Sequence, residues 1–304
     1  MPVLGDSAER GGPAGREGAP VRPLAGLLPA CSNPHCSSGW LRLWRARRTP
    51  VFEGGWVCGP ECVRARIRAA VVREMEGMDG GAAVHRHRVP LGLVLLSQGA
   101  VGREQLRAAL ARQRVSGGRV GMWLEREQGV EERAVTRALG AQWGAPVLTL
   151  DQHSPEKVAP LVPRLLVDAF GLLPLRVAGL ALLYLGFEDR IDRSASFAIE
   201  RMSRLRVEAG LVAGRAFAAA HRRLLAASFP PARLVEAAGV DALVGALGRA
   251  GEEARPVEAR LVRMHDYFWL RMWREPEGAG TAGAFPPRRA AVEDFLCSLA
   301  DRRA

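Results

Sequence analysis

The chain has 304 residues, a length that suits about two domains. Hydrophobic residues at 48% and charged residues at 25% are those of a globular protein, which excludes wholesale disorder. The net charge of +11 suits an acidic partner. Only Lys157 among the 43 basic residues is not Arg, however, and Asp and Glu lie between the arginines, so GC-rich coding accounts for much of the bias.

In chain order, residues 1–30 are rich in Gly, Pro, Ala and Arg and are expected to be a disordered tail. They lack the apolar stretch of a signal peptide, and no later run approaches the roughly 18 uninterrupted apolar residues of a membrane span. A cytoplasmic protein is expected. Residues 31–78 carry four of the five cysteines, and residues 79–87 (DGGAAVHRH) read as a linker. Short helical patterns alternate with Gly from 88 to about 145, and short apolar strands alternate with helices from there to 228. Lys157 stands in SPEKVAP, not in the G-x-x-x-x-G-K-[ST] loop that cradles phosphates, which excludes a self-sufficient P-loop ATPase. Residues 229–252 read as a helical extension. Residues 256–272 suggest another helix, with Leu261, Met264, Phe268 and Met272 near one face. A loop over 275–287 and a short helix over 288–302 complete the expected helical tail.

The cysteines form two close pairs, Cys31-x4-Cys36 and Cys58-x3-Cys62, about 20 residues apart, the spacing a tetrahedral structural zinc requires. Gly and Pro flank both pairs, as tight metal-binding turns demand. The second pair leads into VRARIRAAVVREMEG, so its thiolates would sit at a helix N-terminus. Between the pairs a hairpin is expected, with Trp40, Trp44, Phe52 and Trp56 packed around the site. The arrangement resembles a treble-clef zinc finger. The alternative is four free or disulfide-bonded thiols, and a cytoplasmic setting argues against disulfides. His35 is a lesser candidate ligand, and Cys297 reads as a buried apolar residue. Arg42, Arg45, Arg47 and Arg48 leave a nucleic-acid-binding finger open as an alternative, although no recognition-helix code is legible.

An internal repeat with an offset of 29 residues is the most informative feature. PLGLVLLSQGAVGREQLRAALARQ (90–113) and RVGMWLEREQGVEERAVTRALGAQ (119–142) are joined by the five-residue spacer RVSGG. Each copy reads as a short helix, a Gly turn and a second helix. Leu106, Leu110 and Gln113 share a helix face, and the repeated Gln is not needed for packing.

This frame resembles the MshEN domain, the N-terminal domain of type II secretion and type IV pilus assembly ATPases, whose motif R-L-G-x-x-L-x3-G-x6-L-x3-L-x2-Q occurs twice with a five-residue spacer. The resemblance continues through QWGAPVLTLDQ and LVPRLLVDAFGLLPL to cover 88–228, where strands are expected near Leu172–Leu175, Leu180–Gly186 and Arg206–Ala209. It implies binding of cyclic di-GMP. The first motif would supply Leu91, Gly92, Leu95, Gly99, Leu106, Leu110 and Gln113. The second would supply Arg119, Val120, Gly121, Leu124, Val135, Leu139 and Gln142. In such a site an Arg stacks on a purine or pairs with a phosphate, Gly admits close backbone approach, Leu makes an apolar floor and Gln bonds a base edge or phosphate. Three departures stand out. Pro90 takes the first motif's Arg position, with Arg88 two residues upstream. Gln128 stands where Gly is expected, with Gly129 one place late. Val replaces Leu at 120 and 135. Losing one Arg contact removes about 1.5–3 kcal/mol, roughly one to two decades of affinity.

His85 and His87 read as a solvated linker, and Glu188, Asp189 and Asp192 as a solvated turn with a helix start. No local pattern supports nucleophilic catalysis. The expected fold is α+β: a small four-cysteine zinc finger over 31–78, a helical tandem-repeat subdomain and a small α/β sheet subdomain over 88–228, and a helical extension over 229–304. The expected function is that of a non-enzymatic regulatory or adaptor protein tied to secretion or pilus machinery, with structural zinc and cyclic di-GMP as its ligands. A protein-docking scaffold with a decayed nucleotide site is the alternative.

Overall fold

The computed structural model describes residues 31–37, 51–77, 88–151, 153–179, 181–274 and 291–300. The tail expected over 1–30, the linker, Trp40, Trp44 and the arginines between 42 and 48 lie outside the described residues.

Two short strands, β1 (Val51–Phe52) and β2 (Gly55–Trp56), pair as an antiparallel hairpin and lead into α1 (Pro60–Glu76). Pro60 fits the first helical turn because its missing N–H has no partner there in any helix. The repeat follows as α2 (Leu91–Ser97), α3 (Arg103–Ser116), α4 (Val120–Gln128) and α5 (Glu132–Trp143). Helix α3 packs on α4 and α2 on α5, so the two copies interlock. Their shared core is Leu95, Val101, Leu106 and Ala109 with Leu124, Val130, Val135 and Ala138, four pairs at the 29-residue offset.

The chain continues through α6 (Pro155–Val158) and α7 (Arg164–Phe170) to β3 (Leu173–Ala178) and β4 (Leu182–Phe187), then α8 (Arg193–Ser203), β5 (Arg206–Leu211) and α9 (Gly214–Leu225). These strands form a three-stranded sheet in the order β3-β4-β5, antiparallel then parallel. The expected strands therefore form, with ends shifted by at most three residues. Asp192 caps α8 by accepting the Ala195 N–H at 2.9 Å, as the start signal at that position implies.

The C-terminal part departs from expectation. Residues 229–252 divide into β6 (Ala232–Ala237) and α10 (Val240–Ala254). The helix expected over 256–272 is replaced by the antiparallel hairpin β7 (Glu258–Met264) and β8 (Tyr267–Trp273), and that over 288–302 by β9 (Val292–Leu299). The physical reason is two-sided burial. Strand β8, YFWLRMW, is covered on both faces, so the alternation that marks a strand is missing. Leu261, Phe268 and Met272 face one core while Met264 belongs to the opposite one, so their helical spacing is a coincidence of sequence.

The large sheet has the order β2-β1-β7-β8-β9-β6, with β1 parallel to β7 and β6 parallel to β9. The cysteine segment thus supplies one edge of a sheet whose centre comes from residues 258–299. Helices α1 and α10 cover one face, burying Ile67, Val71, Leu243, Leu247, Phe268 and Phe295. Trp269, Trp273, Val262, Met264 and Leu296 turn the other way and join the core under the three-stranded sheet.

Charge also ties these layers. Arg271 and Asp294, opposite one another on β8 and β9, are 2.8 Å apart and 2% and 0% exposed. The Asp294 carboxylate also accepts Trp269 Nε1–H at 2.7 Å, and Arg271 Nη1 donates to the Leu161 carbonyl at 2.8 Å. Buried Glu74 on α1 is met by Arg73, by Arg201 of α8 and by the Arg263 N–H of β7. At the β7–β8 turn His265 adopts φ +53, stacks on Phe170 and reaches Asp192 at 2.6 Å.

Candidate functional site

The first candidate site is the cysteine cluster. Cys31 and Cys36 close one turn, Cys58 ends the hairpin segment, and Cys62 lies in the first turn of α1. Ser32 N–H donates to the Trp56 carbonyl at 2.8 Å, which fastens the first turn to the hairpin. The four sulfurs lie within 4.8 Å of one another. Cys58 Sγ is 3.4 Å from Cys36 Sγ and 3.5 Å from Cys62 Sγ, much too long for a disulfide at about 2.05 Å. A tetrahedral zinc with Zn–S of about 2.3 Å has S···S edges of about 3.8 Å, so the arrangement fits one metal ion held by four thiolates. The cluster fits a zinc finger. Burial pushes the Cys62 thiol up to about 12, and the Asn33 amide opposes this by donating to its sulfur at 3.3 Å. A buried thiolate needs such donors, or positive charge, around it. His35 is exposed and stands outside the cluster; its N–H serves the Asn33 side chain. Phe52 and Trp56 do pack in this region, Phe52 fully buried.

The second candidate site is a cleft of about 600 Å³ between the repeat, the turn after β4 and the start of α9. Of the sequence-derived residues it gathers Leu91 and Gln113 from the first copy. From the second copy it gathers Arg119, Val120, Gly121, Val135, Leu139 and Gln142. The remaining six lie elsewhere. Leu95 and Leu124 are fully buried in the repeat core, with Leu106 beside them. Leu110 is on the surface at 36% exposure. Gly92 serves close packing, because a Cβ there would lie 2.7 Å from the Leu106 side chain. Gly121 stands in the same relation to Val135, at 3.0 Å. Gly99 takes φ +67 at the turn after α2. In the second copy α4 runs to Gln128 and Gly129 takes φ +66, so the displaced glycine is absorbed by a longer helix.

The glutamines have partners that the sequence did not reveal. Gln113 Nε2 donates to the Gly118 carbonyl at 2.8 Å and Gln142 Nε2 to the Val89 carbonyl at 2.7 Å. Val89 and Gly118 are themselves 29 residues apart, each directly before a helix N-cap, so the end of each copy is bonded to the entry of α2 or α4 in a repeated pattern.

Sequence reasoning also missed the acidic wall. Glu188 and Asp189 line the cleft and hold Arg119, with Nε–Oδ2 of 3.1 Å and Nη1–Oε2 of 3.6 Å. Glu132 accepts the Arg215 N–H at 2.6 Å, at the start of α9. Burial, then the nearby Glu132 carboxylate, raises the Glu125 carboxyl above its ordinary value. The turn in GFEDRID leaves the carboxyl end of β4, which pairs in parallel with β5, and ligand crevices form there in open α/β sheets, a placement that only the fold reveals. Arg119 is positioned to exchange a carboxylate for a phosphate, while the carboxylates are acceptors for a base edge that presents N–H groups. Leu91, Val120 and Leu139 supply apolar surface.

Neither the family models nor the curated proteins give a match to this chain. Among solved structures it is similar to one described as MshE with cdg, at 24% identity over 45% of this chain and 99% of that one, with a TM-score of 0.38. It is also similar to the N-terminal domain of XpsE, at 21% identity over 44% of this chain and 92% of that one, with a TM-score of 0.33. Among the described residues no helix is long and apolar enough to cross a membrane.

Proposed function

We propose that this chain is a non-catalytic regulatory or adaptor protein that binds cyclic di-GMP in the repeat cleft within residues 88–228 and passes the bound state on by docking to secretion or pilus machinery. The observation that carries this reading is the convergence of Arg119, Gln113, Gln142 and the apolar Leu91, Val120 and Leu139 from both copies on one cleft. Its size lies within the range of small-molecule sites. The cysteine cluster belongs to the same reading as a structural zinc site: with four protein ligands the metal has no open position for chemistry. Cys31, Cys36, Cys58 and Cys62 would hold it, and its contribution is to fasten the hairpin edge to α1.

Calorimetric titration of the metal-loaded protein with cyclic di-GMP, beside an Arg119→Ala variant, tests the ligand. The expected result is micromolar binding that the substitution weakens about tenfold or more, the loss of one charge-assisted contact. Absence of binding up to high micromolar overturns the ligand reading. A docking scaffold would then be favoured, for which the pairing of Arg119 with Glu188 and Asp189 already speaks.

A further inference from the structure

A cavity of about 420 Å³ lies outside the repeat, between β1, the start of α1, the end of α10 and the strands β7 and β8. Its floor is apolar and belongs to the core. Phe52, Val63, Ile67, Ala259 and Leu270 line it, and all five are buried. The volume falls within the range of small-molecule sites, and a cavity with such walls takes an apolar molecule in preference to water.

Two residues of α10 shape the space and its mouth. Gly251 lines the cavity from within the helix, so no left-handed backbone calls for glycine there. Close packing does not call for it either. Among the described residues a Cβ at Gly251 would meet nothing within 4 Å, whereas at Gly248, one turn earlier, it would lie 3.1 Å from the Arg64 side chain. Glycine weakens a helix, so its effect at 251 is to leave the space unfilled.

Arg255, also on the lining, ends α10 at φ +46, a left-handed cap that suits glycine far better. Arg204 ends α8 in the same way, at φ +59, and its guanidinium is held by Glu258 at 3.5 Å. The Arg255 side chain is exposed, and among the described residues its guanidinium has no hydrogen-bond or ion-pair partner. Glu252, the acidic residue on the lining, is taken by Arg64 at 2.7 Å. Of the side chains around the cavity, the charge left unpaired is therefore that of Arg255.

We propose that this cavity binds a small apolar acid of the medium-chain fatty-acid class, with its hydrocarbon body on the floor of Phe52, Ile67 and Leu270 and its carboxylate at Arg255. The apolar walls would exclude water from the chain, and the guanidinium at the mouth would select the acidic head. The site shares no residue with the repeat cleft and stands whether or not that cleft binds a nucleotide.

Calorimetry of the metal-loaded full chain with octanoate and with octanol, beside Gly251→Leu and Arg255→Gly, tests this. Octanoate is expected to bind with a Kd below about 1 mM. Arg255→Gly suits the left-handed cap and keeps the fold. It is expected to weaken octanoate about fivefold, the worth of one exposed ion pair, and to leave octanol unchanged. Gly251→Leu puts a side chain into the cavity. It is expected to weaken both ligands about tenfold or more and, with no ligand present, to raise the urea midpoint, since it buries apolar surface and improves the helix. No binding of octanoate up to about 1 mM, or binding that Gly251→Leu leaves unchanged, overturns the site. Equal effects of Arg255→Gly on octanoate and octanol overturn the acidic head. A lowered urea midpoint for Gly251→Leu means that the space cannot take even a leucine, and the site falls with it.

Discussion

Gln142, at the end of the second repeat, donates its amide N–H to the carbonyl of Val89, which precedes the first, at 2.7 Å. The sequence set the repeated glutamine apart because packing did not require it. The structure gives it a second task besides any ligand: it satisfies a backbone carbonyl at a helix entry. Removing the donor leaves that carbonyl to water, so Gln142→Ala is expected to cost about 0.5–1.5 kcal/mol of stability with no nucleotide present. Gln113→Ala is expected to behave alike, since it bonds Gly118 in the same way. Urea melts of both variants check this. Unchanged midpoints would return the glutamines to a purely ligand-facing role.

The Arg271–Asp294 pair makes a sharper prediction. Both groups are almost wholly buried, and Asp294 also holds the Trp269 indole. Truncating one partner strands the other in the core. Asp294→Ala is expected to lose about 3–5 kcal/mol, while joint replacement of Arg271 and Asp294 by apolar residues of similar volume costs much less. Denaturant unfolding of the single and joint variants measures the difference. Equal losses would mean the pair's charges are not the source.

Stability should also depend on pH through His265. The Asp192 hydrogen bond raises the imidazole above its ordinary 6.5, against the opposing effect of burial. On Asp192 burial acts upward, but the bonds from His265 and the Ala195 N–H prevail and hold its carboxyl below its ordinary 3.8. The imidazole's contribution is complete below pH 6.5 and disappears as pH rises through its raised folded value. The carboxylate's contribution is present above pH 3.8 and disappears as pH falls through its depressed value. Thermal midpoints of the native chain and of His265→Asn should differ most between these limits and converge at alkaline pH. Asn is chosen because it tolerates the left-handed backbone at this turn. Curves that stay parallel across the range would remove His265 as the source.

Metal removal is expected to act on the large sheet rather than on the repeat. The cysteine cluster holds the hairpin that forms its β2-β1 edge. Chelation, or Cys58→Ser, should raise amide exchange in α1 and β7 while α2–α5 keep their protection. Uniform loss of protection over the whole chain would contradict this.

How far the sequence could be read follows from burial. The repeat was legible because α2–α5 each have one buried face, and Leu95/Leu124 and Val101/Val130 repeat at a fixed offset. The cysteine cluster was legible from local spacing alone. Strands β7–β9 were not, because two-sided burial removes alternation, and because Arg271 and Asp294 place charge in a core where polarity usually marks the surface. In sequence the acidic wall is a solvated turn, because only the fold brings Glu188 and Asp189 to Arg119.

The parallel pairing of β1 with β7 joins Val51 to Glu258 across the whole repeat and the three-stranded sheet. On a ribosome those intervening elements emerge before the partner of β1 exists, the repeat with its own interlocked core. The cysteine segment must therefore wait, its hairpin edge unsealed, until the strands after residue 257 have been made. Contacts of such sequence separation are slow to form and leave an edge open meanwhile. A metal ion captured early by the four thiols would hold that waiting edge in shape during the interval.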